Sequence, residues 1–135
     1  MINASDALDV ALAVRELGYK AILEKDSVGD PMISSKMSGL NFVILFYGCT
    51  DHLNCQSLQF SSSFDLTEGS SAAAMNEWNV ANRYGRAYVD EDNDPIIRYE
   101  FNMRGAGIST EVFEDNFAIW DSLPSDFKDH IEWST

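Results

Sequence analysis

The sequence predicts an α+β fold in which helices pack against one antiparallel sheet of five to six strands, in the order α-β-β-β-β-α-β-β-α. Three observations carry it: the strand-like segments come in runs, three stretches have helical spacing, and nothing alternates strand with helix as a parallel sheet requires. Ser5 and Asp6 are N-cap residues ahead of Leu8, Ala11, Leu12 and Leu17 on one stripe, which predicts a first helix over 6–17 that stops at Gly18. Tyr19 to Glu24 and Met32 to Met37 flank the turn formers Asp26-Ser27-Val28-Gly29-Asp30-Pro31 and read as a hairpin. The apolar run Asn41–Gly48 fits a strand covered on both faces or central in the sheet. Leu58, Phe60, Ser62 and Phe64 alternate with polar residues as a fourth, half-buried strand.

A second helix over 71–84 follows from the cap residues of Thr67-Glu68-Gly69-Ser70-Ser71 and from Ala74, Met75, Trp78, Ala81 and Asn82 at helical spacing before Gly85. Residues 86–90 and 96–103 flank the acidic turn 90–95 as a second hairpin. The first turn's Asp-x-x-Gly-Asp-Pro is echoed only loosely, through Asp92 to Pro95. Arg104-Gly105-Ala106-Gly107 breaks the chain. Ser109 or Thr110 then caps a helix with Phe113, Phe117 and Trp120 at i, i+4 and i+7, and Pro124 predicts a break before a last short helix over 125–133.

The 135 residues suit one domain, 1–135, and carry 9 Lys+Arg against 22 Asp+Glu, a net charge of −13. Such a field repels phosphate backbones and anionic lipid headgroups, so neither nucleic acid nor membrane is an expected partner. The longest apolar run, Phe42 to Tyr47, falls far short of the roughly 20 residues of a membrane span. The N-terminus has no basic segment and carries Asp6 and Asp9, so the expected location is the cytoplasm, with both cysteines reduced.

Few constellations carry chemistry. Asp90, Asp92 and Asp94 occupy positions 1, 3 and 5 of a calcium loop, but Pro95 and Phe101 stand where Gly and Glu are needed, so an acidic hairpin turn is the better reading and no metal is expected. Cys49 and Cys55 bracket a short loop and leave three readings open: plain hairpin cysteines, which is favoured, a redox-sensitive pair, or a metal site short of ligands. His52 and His130 have no nucleophile motif beside them, and no phosphate loop or dinucleotide fingerprint is present, so neither enzymatic activity nor a cofactor is expected. The second helix and its exit mix aromatic, amide and guanidinium groups: Trp78, Asn79, Arg83, Tyr84 and Arg86 form the candidate protein-interaction site. The plainer reading packs Trp78 on the sheet and pairs Arg83 and Arg86 with Glu77 or the acidic turn 90–94.

In collinear order, Leu17-Gly18-Tyr19, Gly29-Asp30-Pro31, Gly39-Leu40-Asn41-Phe42, Tyr47-Gly48-Cys49 with Cys55, Leu58-Gln59-Phe60, Asn76-Glu77-Trp78-Asn79, Gly85-Arg86-Ala87-Tyr88 and Asp94-Pro95 resemble the YbjN family of bacterial proteins. The resemblance runs over about 7–122. It implies sensory transduction regulation and a fold similar to type III secretion chaperones, and it supplies no catalytic residue. The expected function is a non-enzymatic regulatory or chaperone-like module that binds a protein partner, as a homodimer. The alternative is a small-molecule or redox sensor that uses a sheet-helix pocket or the Cys49/Cys55 pair.

Overall fold

The computed structural model describes residues 1–105 and 107–133, so Ala106 of the predicted break lies outside the described residues. The elements are α1 (Ala7–Glu16), β1 (Ile22–Lys25), β2 (Pro31–Met37), β3 (Leu40–Tyr47), β4 (Ser57–Ser63), α2 (Ala72–Ala81), β5 (Arg86–Val89), β6 (Pro95–Asn102) and α3 (Thr110–His130). The strands form one antiparallel sheet in the order β1-β2-β3-β4-β6-β5, so the chain runs as a meander through β4 and returns with its last hairpin inverted. The α+β order read from the sequence is the order observed.

Local chemistry sets the helix starts. The Asp6 carboxylate accepts from the Leu8 and Asp9 amides, and the Ser71 and Ser109 hydroxyls accept from Ala74 and Val112. Period two sets the core: Phe42, Ile44 and Phe46 of β3, Leu58 and Phe60 of β4 and Ile97 of β6 point to one face, where the buried residues of all three helices join a single cluster. At its centre the Trp120 ring stacks on Phe60 at 5.6 Å and meets Phe42 edge-on at 5.8 Å.

Five expectations change. β4, read as half-buried, is buried on both faces from Leu58 to Ser62, since it lies inside the sheet between β3 and β6 and its polar Gln59 and Ser61 are covered too. β3 is central, but its burial alternates, so its apolar run is covered on one face only. α2 ends at Ala81 instead of running to residue 84, because Asn82 is extended and both its backbone and side-chain amides donate to the Trp78 carbonyl. Pro124 lies inside α3 and does not divide it. Proline lacks the N–H that would bond Trp120's carbonyl, a defect of about 3 kcal/mol. Trp120 and Phe127 are both fully buried on the same stripe, and each such aromatic is worth about 3–5 kcal/mol against truncation, so the packing carries the helix across. Finally, the two hairpin turns match more fully than expected: Asp90, not Asp92, is the counterpart of Asp26, and Asn93 takes the left-handed conformation of Gly29.

Candidate functional site

The chain leaves α2 through Asn82–Tyr84 and turns sharply at Gly85. Gly85 has φ +87, a left-handed conformation that favours glycine, and a Cβ there would stand 2.9 Å from the Ile97 Cδ1 and 3.2 Å from the Leu123 Cδ1, so any side chain would also have to displace those methyls. Trp78 fixes the turn from below: it is 3 % exposed, its indole N–H donates to the Gly85 carbonyl at 3.2 Å, and its ring packs edge-on against Phe127 at 5.2 Å. The strand that follows begins only at Arg86, opposite Arg98, so β6 runs on beyond it without a neighbour on that side.

This late start makes a notch of about 380 Å³ lined by Asn79, Asn82, Arg83, Tyr84, Gly85, Arg86, Arg98, Tyr99 and Glu100. Four of the five residues singled out in the sequence, Asn79, Arg83, Tyr84 and Arg86, meet there; Trp78 lies in the core and acts on the notch through the Gly85 carbonyl and through its own carbonyl, which holds Asn82. Tyr99 is the fixed floor: it stacks on Phe60 and donates to the Asn116 side-chain oxygen at 2.6 Å. Tyr84 stands edge-on to it at 6.0 Å and is 43 % exposed. Burial, with Tyr84 adding to it, raises the Tyr99 pKa above the ordinary tyrosine value.

The charge arrangement differs from the expected one. Arg86 pairs with Glu100 at 3.2 Å across the sheet, not with Glu77 or the turn at 90–94, and both partners are about half exposed, which makes the pair weak. Glu100 also accepts from Gln59 Nε2 at 2.7 Å, and Gln59 Oε1 accepts from Arg98 at 2.6 Å. Arg86 and Arg98 both lie over the Tyr88 ring, each 5.5 Å from its centre. Arg98 Nε is buried with no hydrogen-bond partner, and Arg83 has no acidic partner among the described residues. Three guanidinium groups against one carboxylate favour an anionic group in the notch.

Sequence reasoning missed Asn82, Arg98, Tyr99 and Glu100. Arg98 and Glu100 do carry a local signal, two charges on one face of an apolar strand, but which helix exit faces them is set by the non-local pairing of β6 between β4 and β5.

Two other candidates resolve differently. Cys49 and Cys55 are joined in a disulfide, Cα atoms 3.9 Å apart, which corrects the expectation of two reduced thiols. The closed loop tightens further through reciprocal Thr50–Leu53 backbone bonds, and Asp51, His52 and Asn54 all take positive φ, so the ring carries three side chains in a conformation that glycine normally occupies. It holds His52 Nδ1 2.8 Å from Asp30 in the first hairpin turn, a pairing invisible in the sequence. Asp90, Asp92 and Asp94 do come together; Asp90 accepts from the Asp92 and Asp94 amides and Asp94 from Leu66, so two of the three carboxylates take part in building the turn. No helix among the described residues is long and apolar enough to cross a membrane.

Compared with known proteins, the chain matches the YbjN family, described as "Putative bacterial sensory transduction regulator", over residues 7–133. No curated protein and no solved structure matches it. The family match extends past Pro124 through the end of α3, which the structure builds into the core, and with it the chain belongs to the YbjN family.

Proposed function

We propose that the protein is a non-enzymatic regulatory module that works by binding another protein, in the manner of a chaperone, and that the notch at the α2 exit is its contact surface. One observation carries this reading. On a molecule of net charge −13, three of the nine Lys+Arg residues gather with two tyrosines in a single notch, one guanidinium nitrogen there is buried without a partner, and Tyr and Arg are the side chains that dominate contact energies between proteins. A photo-crosslinking amino acid in place of Tyr84, in living cells, tests it. The expected result is one discrete protein adduct that disappears in the R83E/R86E background while the melting temperature stays unchanged. An adduct indifferent to that charge reversal, or none, overturns the reading.

A second reading, a redox sensor, is favoured by the Cys49–Cys55 disulfide alone. It requires that the bond open and close within the range of cellular thiol buffers and that partner capture follow it. A thiol titration across graded redox buffers, read together with the Tyr84 adduct, decides between the two.

A further inference from the structure

We infer that the notch takes its partner as an extended, acidic segment that adds to the β6 edge as a seventh strand, in line with β5. The inference rests on the notch being the contact surface and names what fills it.

The peptide groups of β6 alternate between its two neighbours. Two bonds fix the phase independently. The Pro95 carbonyl accepts from Phe64 and the Met103 amide donates to Gln56, so both ends of the strand point their odd-numbered peptides toward β4. The even-numbered peptides, Ile96 and Arg98, therefore face β5. The same alternation turns Glu100 and Asn102 to that side too, where β5 has not yet begun. Both residues are exposed, and no described residue bonds their backbone groups. Four backbone groups thus stand open along Tyr99–Asn102, a stretch of about 13 Å at roughly 3.3 Å per residue, enough for a short added strand.

The rest of the sheet does not offer this. On the outer side of β5 the Asn79 amide bonds both the N–H and the C=O of Ala87, occupying the place of a strand. β1 is short, carries Glu24 and Lys25, and Arg15 holds the Ala21 carbonyl beside it, so its edge is guarded by charge. At the notch an open edge coincides with a cluster of guanidinium groups, Arg83 without an acidic partner among the described residues and Arg98, whose Nε is unpartnered, beside the half-exposed Arg86. Charge complementarity selects carboxylates on the incoming segment, with its peptide groups bonding Glu100 and Asn102.

The test uses the whole protein, labelled with nitrogen-15, and two fluorescent octapeptides of alternating Glu and Val, one plain and one N-methylated at alternate residues so that its charge remains but its strand hydrogen bonds are lost. In the free protein the Glu100 and Asn102 amides should exchange fast and those of Tyr99 and Phe101 slowly. The plain peptide should slow Glu100 and Asn102 at least tenfold, the N-methylated one should bind at least tenfold more weakly, and R83E/R86E should weaken the plain peptide by a similar factor. Equal binding of both peptides, or binding that leaves those two amides unprotected, overturns strand addition and leaves the notch standing as a charge-selective surface. No binding at millimolar peptide overturns the acidic segment, while the Tyr84 crosslink still judges the notch itself.

Discussion

The two hairpins start from the same turn and end in different surroundings. In each, an aspartate side chain accepts two amides, from Val28 and Asp30 at 3.0 and 2.9 Å in one and from Asp92 and Asp94 at 2.9 and 3.0 Å in the other, and its own amide donates across the turn to Asp30 or Asp94. A left-handed residue, Gly29 or Asn93, precedes Asp-Pro in both. Yet β1 is exposed along its whole length, with Ile22 at 55 %, whereas β5 buries Ala87 and is clasped by α2. Each turn also leans on a different loop: Asp30 on His52 of the disulfide ring, Asp94 on Leu66 and Asn93 on Ser70 ahead of α2. Turn chemistry sets a hairpin's register; what packs on its flank sets its stability and decides whether its edge stays open.

Trp78→Ala should break the comparison most severely. Trp78 is the strut between α2, the Gly85 turn and Phe127 of α3, so its loss leaves a large cavity and releases the second hairpin from its cover. The expected cost is about 3–5 kcal/mol in a denaturant titration. Amides of β5 should lose protection before those of β2 and β3. A loss below about 1 kcal/mol would mean that the ring is not the anchor its burial implies.

Reducing the disulfide tests the other flank. Closing a ring of seven residues, Cys49 to Cys55, is worth roughly 2 kcal/mol in the chain-entropy picture. The loss should be local: with the ring open, His52 is no longer held against Asp30, and exchange should quicken across 50–55 and in the first hairpin turn. Protection in β5 and β6 should not change. Equal loosening of both hairpins would show that the two flanks are coupled through the shared sheet.

Much of this was legible in the sequence because it is local. The caps, the period-two strands and the Asp-Pro turns all depend on neighbours within a few residues, and so the α+β order could be read directly. Pro124 misled because its backbone cost is local while the compensation from Trp120 and Phe127 arises only when α3 meets the sheet. The cysteines misled because compartment, not geometry, guided the expectation of free thiols. Half of the notch was visible, Asn79, Arg83, Tyr84 and Arg86, because those residues lie on one continuous helix exit. Arg98, Tyr99 and Glu100 reach it only through strand order, and Asn82 was assigned to a helix that had already ended.

Asn79→Ala is the smallest change and the sharpest test of how the two edges differ. The position of Ala87 in the second hairpin is that of Leu23 in the first: each faces the buried isoleucine of its partner strand, Ile97 or Ile33, and by the alternation along the strand each directs its peptide groups outward. At Ala87 the Asn79 amide satisfies them at 2.9 and 3.1 Å, while at Leu23 no side chain of the described residues does so. Removing the amide takes away two side-chain-to-backbone bonds, worth about 1–2 kcal/mol together. The fold should survive, and the Ala87 amide should then exchange as fast as that of Leu23. If the Asn79 clasp is what closes this edge, the variant should also bind the plain Glu-Val peptide along β5, showing new protection at Ala87 beside that at Glu100 and Asn102. Unchanged exchange at Ala87 would place the closure of the β5 edge in the body of α2 and not in its asparagine.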